Sequence, residues 1–283
     1  MFQRVELVVD GIRSPVLTGG AGAHADEAVV FVHGNPGAGR DWSALMGAVA
    51  PFARVIAPDM PGFGGAEKPA QHSYSVLSYA THLAGLLDQL GAQRVHVVAH
   101  DFGGPWALTW ASAHLDQVAS VTLINTGVLL DYRWHRLARL WRLPVVGELV
   151  MRGATPSMVR HLLGHDNPGL GREHVAEIGA HFRPGETKRA VLRLYRSTST
   201  ASIEALSARM RSRNIPALVL WGDRDAYIPL AQAERQRRSF PRATVVVLPG
   251  IGHWAWLEAP ERVADHVVPF VRSQLLAPHH PAP

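Results

Sequence analysis

The sequence predicts an α/β fold in which helices cover both faces of a mostly parallel sheet and an all-helical block is inserted in the middle of the chain. Three observations carry this. Short β-branched apolar runs alternate with longer helical stretches, one long interval breaks the alternation, and one strand ends in a tight acidic turn that opens directly into a helix.

The elements follow in order. Residues 5–9 and 15–18 read as an opening antiparallel pair joined by the turn signal Asp10-Gly11. Residues 19–27 form a Gly/Ala-rich loop that lacks the Gly-Lys-Ser/Thr of a phosphate loop. Residues 28–32, Ala-Val-Val-Phe-Val, are a continuous apolar run of the kind buried on both sheet faces, and 55–57, 95–98, 118–124, 217–221 and 244–248 repeat it. Helical stretches over 39–50, 74–90, 102–113, 230–239 and 260–276 separate or follow these strands. From Gly127 to about Asn214 no strand is visible, only helical pieces punctuated by Pro144, Pro156, Pro168 and Pro184. Loops rarely exceed about 15 residues, so a helical cap is expected there. It would sit over the carboxyl edge of the sheet, where open α/β sheets bind ligands. The expected division is a core of residues 1–126 and 215–283 with a cap at 127–214.

Bulk composition narrows the class. The 283 residues are 47% hydrophobic and 18% charged, which suits one large globular domain and excludes general disorder. Cysteine is absent, which removes disulfides, thiolate catalysis and cysteine-ligated zinc. The N-terminus lacks a basic-then-apolar leader, and no apolar run reaches spanning length, so a soluble cytoplasmic protein without a membrane partner is expected. The net charge is +5, but the basic residues are scattered apart from 133–142 and 209–213. The first cluster reads as an amphipathic surface helix with Arg133, Arg136 and Arg139 on one side and Leu137, Leu140 and Trp141 on another; no nucleic-acid partner is expected. Among 16 histidines no pair stands at metal-ligand spacing with a carboxylate between, so no metal or cofactor is expected. His279-His280 lies in a Pro-rich tail that reads as a flexible end. A monomer or homodimer is the expected state.

The chemistry concentrates in Arg94-Val95-His96-Val97-Val98-Ala99-His100-Asp101-Phe102-Gly103-Gly104. An apolar strand stops at a turn with Asp101 at its tip, and the small residues Ala99 and Gly103 permit the crowding. Taken alone, Asp101 reads more readily as a helix N-cap than as a nucleophile. Three further motifs follow strands and so gather at the same sheet edge. They are His33-Gly34-Asn35-Pro36-Gly37, Trp221-Gly222-Asp223-Arg224-Asp225-Ala226-Tyr227-Ile228-Pro229, and Gly250-Ile251-Gly252-His253-Trp254. Each has a bland reading as turn chemistry, since Asp is common in turns and a Gly-His can be a satisfied loop histidine. Their order is nucleophile, then acid (Asp223 or Asp225), then His253.

On these motifs the chain resembles the aspartate-nucleophile branch of the α/β-hydrolase family, which holds epoxide hydrolases and haloalkane dehalogenases. The likeness runs over nearly the whole chain and includes Asp59-Met60-Pro61-Gly62-Phe63-Gly64. The resemblance implies an α/β-hydrolase fold with an eight-stranded sheet, Asp101 as nucleophile at the elbow, His253 as base and Asp225 as its acid, with Asp223 the fallback. It implies an oxyanion hole from the backbone N–H groups of Asn35 and Phe102. Asp101 would attack a saturated carbon, and water activated by His253 would then cleave the resulting ester. The substrate would be a small apolar organic molecule.

The leaving group separates the branches. Leu192-Arg193-Leu194-Tyr195-Arg196-Ser197 resembles the cap helix of epoxide hydrolases whose tyrosine protonates the departing oxygen; otherwise Tyr195 is a core aromatic. Tyr132 is the candidate for the usual second tyrosine, and His33, Trp134 and Trp254 are further substrate-binding candidates. His-Gly-Asn-Pro resembles one group of dehalogenases, but the halide-holding tryptophan after the nucleophile is replaced by Phe102, which carries no ring N–H. Trp106, Trp134 and Trp256 are possible replacements. Epoxide opening to a vicinal diol is the favoured expectation and halide release the alternative; a lyase or decyclase, or a binder without catalysis, stands behind both.

Overall fold

The computed structural model describes residues 2–22, 24–199 and 201–276, so the His279-His280 tail lies outside the described residues. Eight strands, β1 (Gln3–Val9), β2 (Ile12–Gly19), β3 (Glu27–Val32), β4 (Val55–Pro58), β5 (Arg94–His100), β6 (Val118–Ile124), β7 (Ala217–Gly222) and β8 (Thr244–Leu248), join in one sheet. Their order is β1-β2-β4-β3-β5-β6-β7-β8. β2 runs antiparallel to both its neighbours, and every pairing from β4 to β8 is parallel. Asp10 and Gly11 both take positive φ (50° and 75°), the conformation that lets a two-residue hairpin follow the sheet twist.

β3, β4 and β7 are buried along their whole length, because helices cover both faces. On one face α2 (Val76–Gln89) and α3 (Gly103–Ala113) pack together over Tyr79, Leu83 and Trp106. On the other, α1 (Ser43–Val49) and the C-terminal α12 (Pro260–Leu275) enclose Trp42, Met46, Val263 and Val267. The expected helix over 39–50 opens instead as a 3-10 turn, Gly39–Trp42. Its first amides are taken by side chains: Ala38 N–H donates to Asp41 Oδ2 at 2.8 Å and Gly39 N–H to Asp59 Oδ1 at 2.6 Å. The stretch 230–239 likewise divides into α10 (Ala231–Arg235) and a 3-10 turn. The four-residue α11 (Ala255–Glu258) is too short to leave a periodic signal.

Between β6 and β7 the chain forms α4 (Arg136–Arg142), α5 (Val146–Gly153), α6 (Pro156–Asp166), α7 (Arg172–His181), α8 (Gly185–Ser197) and α9 (Ala201–Arg213). The four prolines mark their ends. α4 stops short of Pro144, Pro156 opens α6 behind the Thr155 cap, Pro168 follows α6, and Pro184 caps α8. The last of these helices, α9, packs against α3, and an ion pair joins Arg213 to Asp116 at 2.6 Å. Among the described residues no helix is long and apolar enough to cross a membrane.

Candidate active site

β5 ends at His100, and Asp101 takes the left-handed conformation (φ 49°) before α3 begins. For a residue with a side chain this costs about 1–2 kcal/mol, so the surroundings must hold it. They do: Thr126 Oγ1 and Gly104 N–H both donate to the Asp101 carbonyl. Two glycines make the approach possible. A Cβ on Gly103 would lie 2.2 Å from the Val32 carbonyl oxygen, and one on Gly34 would lie 2.5 Å from Asp101 Cβ. The loop after β3 is therefore pressed against the elbow, and Asn35 N–H donates to Asp101 Oδ1 at 2.7 Å. Phe102 occupies the N-cap position of α3, where helix amides lack intrahelical partners.

His253, in the loop after β8, turns Nε2 toward Asp101 Oδ2 at 3.6 Å and Nδ1 to Asp225 Oδ2 at 2.7 Å. The Asp225 side chain is fully buried yet amply satisfied. Asn125 Nδ2 donates to Oδ2, while the Tyr227 and Ile228 amides donate to Oδ1, at 2.8, 2.8 and 2.9 Å. The two acids left open by the sequence thus separate: Asp223 Oδ1 accepts Gly250 N–H at an exposed turn and stays out of the site. Burial pushes the His253 imidazole down, but the Asp225 and Asp101 carboxylates outweigh it and lift it to about 9. His100, whose Nε2 lies 3.1 Å from the His253 carbonyl oxygen, is driven well below the usual histidine range by burial and by His253.

An apolar cavity with about 160 Å³ of room lies over Asp101, between the sheet edge and the helices that follow β6. Tyr195, on α8, is buried at its wall with its ring 5.0 Å from Phe102. Its oxygen receives Asn35 Nδ2–H at 3.4 Å. His135 caps α4 by accepting Ala138 N–H on Nδ1, which places the ring proton on Nε2, 3.4 Å from the same oxygen. Both contacts bring donors to Tyr195, so its own O–H remains to be given elsewhere. Burial pushes the Tyr195 phenol well up and His135 down to about 4.

Trp134, Tyr132 and Trp254 also line the cavity, but the Tyr132 hydroxyl is spent on the Tyr227 carbonyl at 3.0 Å. His33 is a correction. It does not line the cavity: Nε2 accepts Met60 N–H at 3.0 Å, Nδ1 lies 2.8 Å from the Gly34 carbonyl, and the ring packs against Phe63 and Trp106. It braces the loop after β3 against Met60. Trp106 is likewise remote, stacked on Tyr79, and Trp256 donates its N–H to the Asp41 carbonyl. Of the three tryptophans, only Trp134 reaches the cavity.

Sequence reasoning missed His135, Tyr227, Asn125 and Asn167. Tyr227 lines the cavity, and its hydroxyl lies 3.4 Å from both Asn167 Nδ2 and Asp166 Oδ2. Asn167 Oδ1 also accepts His253 N–H at 3.3 Å, linking the end of α6 to the histidine loop. Asn125 was within reach of the strand-end rule, as the first polar residue after β6.

The sheet order and the flanking helices agree with what known proteins show. The chain belongs to the alpha/beta hydrolase fold family. The profile of that family matches residues 27–148, and that of a TAP-like protein matches 196–280. The 2-hydroxymuconate semialdehyde hydrolase of Pseudomonas sp. (strain CF600) is 30% identical over 277 residues, covering 94% of this chain and 93% of that protein. The crystal structure of DBJA superposes with a TM-score of 0.83 at 23% identity, covering 98% of this chain and 99% of that one. An epoxide hydrolase mutant from Vigna radiata superposes at 0.80 and 21% identity, with coverage of 96% and 99%. At such identities the two structures speak for the fold.

Proposed function

We propose that this hydrolase opens an epoxide through a covalent ester on Asp101. The observation that carries the reading is the carboxylate at the elbow, with one oxygen seated on the Asn35 amide and the other facing the cavity and His253. A carboxylate attacking a carbonyl would give an anhydride, which stores more energy than the bond it replaces. Attack at saturated carbon gives an ordinary ester instead. Oδ2 is the attacking oxygen, and Oδ1 becomes the ester carbonyl already resting on the oxyanion donor. Such a donor is worth about 2.7–4 kcal/mol when charge develops on that atom.

His253 serves the second half. While Asp101 is ionised it holds the imidazole charged; esterification removes that negative charge, so the imidazole becomes free to accept a proton from water. Asp225 keeps the ring oriented through Nδ1. Tyr195 supplies the proton to the leaving alkoxide, and Asn35 Nδ2 and His135 Nε2 stabilise the charge left on its oxygen. The cap helices close an apolar wall that fits a small organic ring, since a dry cavity of about 150 Å³ accepts benzene.

Halide displacement is the second reading, favoured by the Asn35 amide and the Trp134 indole lining the same cavity. The relative named 2-hydroxymuconate semialdehyde hydrolase suggests a third activity; the aspartate at the elbow argues against it here. Parallel assays of an aryl epoxide, a bromoalkane and 2-hydroxymuconate semialdehyde decide the matter. Diol is the expected product, and bromide release or decay of the conjugated substrate without diol sinks the epoxide reading.

A further inference from the structure

We infer that the outer surface of α4, α5 and α6 docks on an anionic lipid surface and lets apolar substrate pass from it into the cavity. Seven of the twelve exposed large apolar side chains among the described residues fall within 140–162: Leu140, Leu143, Val145, Val146, Leu149, Met158 and Leu162. Leu143, Val145 and Leu149 are 50%, 68% and 60% exposed. Val145, Val146 and Leu149 share one side of α5, while Met151 of the same helix points inward and lines the cavity. Val145 adopts φ 68°, a strained conformation for a β-branched residue, and its side chain contributes little inside the protein.

Two further observations choose the occupant. Met158 and Leu162 both line the cavity and reach solvent, so a single layer of side chains separates the cavity from this surface. Arg133, Arg136, Arg139, Arg152 and Arg160 around it are exposed, and between Asp131 and Leu162 six arginines meet only two carboxylates, Asp131 and Glu148. A symmetric contact with a second copy would set this basic surface against itself, which like charge opposes. Apolar side chains among arginines instead match a surface of anionic headgroups over acyl chains. The expectation of no membrane partner rested on leader and spanning segments, and surface docking needs neither. The inference is independent of which bond the enzyme cuts.

The test is co-sedimentation of the full chain with vesicles of phosphatidylcholine and phosphatidylglycerol, beside vesicles of phosphatidylcholine alone, at low and high salt. The protein is expected to sediment with the anionic vesicles and to be released by salt. Each arginine lost should lower the partition roughly fivefold, so an Arg136→Glu/Arg152→Glu protein should lose at least tenfold. A Leu143→Ser/Leu149→Ser protein should lose a similar factor with an unchanged thermal melt, since both side chains face solvent. Wild type staying in the supernatant overturns the inference, as does sedimentation that neither pair of substitutions reduces. A wild-type dimer that the serine pair dissociates, without vesicle binding, assigns the surface to a second copy and overturns it too.

Discussion

The sheet carries a buried histidine–carboxylate pair at each end of its strands, and only one of them faces a cavity. At the carboxyl edge, His253 spends Nδ1 on Asp225 and leaves Nε2 toward Asp101 across 3.6 Å. At the amino edge, His96 lies 3.0 Å from Glu27 Oε1, the same oxygen takes Arg94 Nε at 2.5 Å, and the second ring nitrogen lies 2.8 Å from Ser120 Oγ. The chemical pair is the same. The two pairs differ in whether the second ring nitrogen is already taken: His253 keeps Nε2 toward Asp101 at the cavity, whereas both nitrogens of His96 have close partners.

The widest gap between the two pairs should appear in turnover. His253→Gln is expected to cut steady-state rate by roughly 10⁴–10⁶-fold. Mass spectrometry should then find a substrate-sized adduct on the peptide bearing Asp101; an unmodified peptide would remove the covalent route. Glu27→Gln should leave the rate within about twofold, its effect falling on stability at about 1–3 kcal/mol for a buried hydrogen-bonded group. Tyr195→Phe comes next, slowing epoxide opening by roughly 10²-fold in single-turnover kinetics. An unchanged rate would make Tyr195 a packing residue.

The smallest effects are in pH. His253 is raised in the folded chain, so its stabilising contribution is full below its ordinary value near 6.5 and is lost as pH climbs through about 9. Glu27 runs the other way: burial raises it, but His96 and Arg94 prevail and hold it below the usual range. Its contribution is present above about 4.5 and lost as pH falls through the lowered value. Thermal melts across pH should therefore lose the alkaline slope in His253→Gln and the acid slope in Glu27→Gln. A slope surviving in its own variant breaks the comparison.

Much of this was legible. The strands, the elbow and the helical interval all come from periodicity and punctuation, which act over a few residues. Thr244–Leu248 and Val118–Ile124 carry the expected bounds. What escaped is long-range. His33 has the sequence setting of a cavity residue, but its nitrogens are claimed by Met60 and Gly34, which no local pattern reveals. Tyr227 looked like part of an acid turn, yet the path of α6 brings Asp166 and Asn167 to its hydroxyl. Asp223 and Asp225 are two residues apart, and only the fold decides which one meets the histidine.

One contact makes the two oxygens of Asp101 unequal: Oδ1 is tethered to the Asn35 amide while Oδ2 is not. If the ester forms on Oδ2, each catalytic cycle exports that atom with the diol and replaces it from solvent. In water enriched in oxygen-18 the first product molecule should then carry ordinary oxygen and later ones the heavy isotope. The enzyme itself should gain a single heavy atom at this side chain, however many cycles it completes. A second incorporated atom would mean that the carboxyl group rotates between rounds and the tether does not hold.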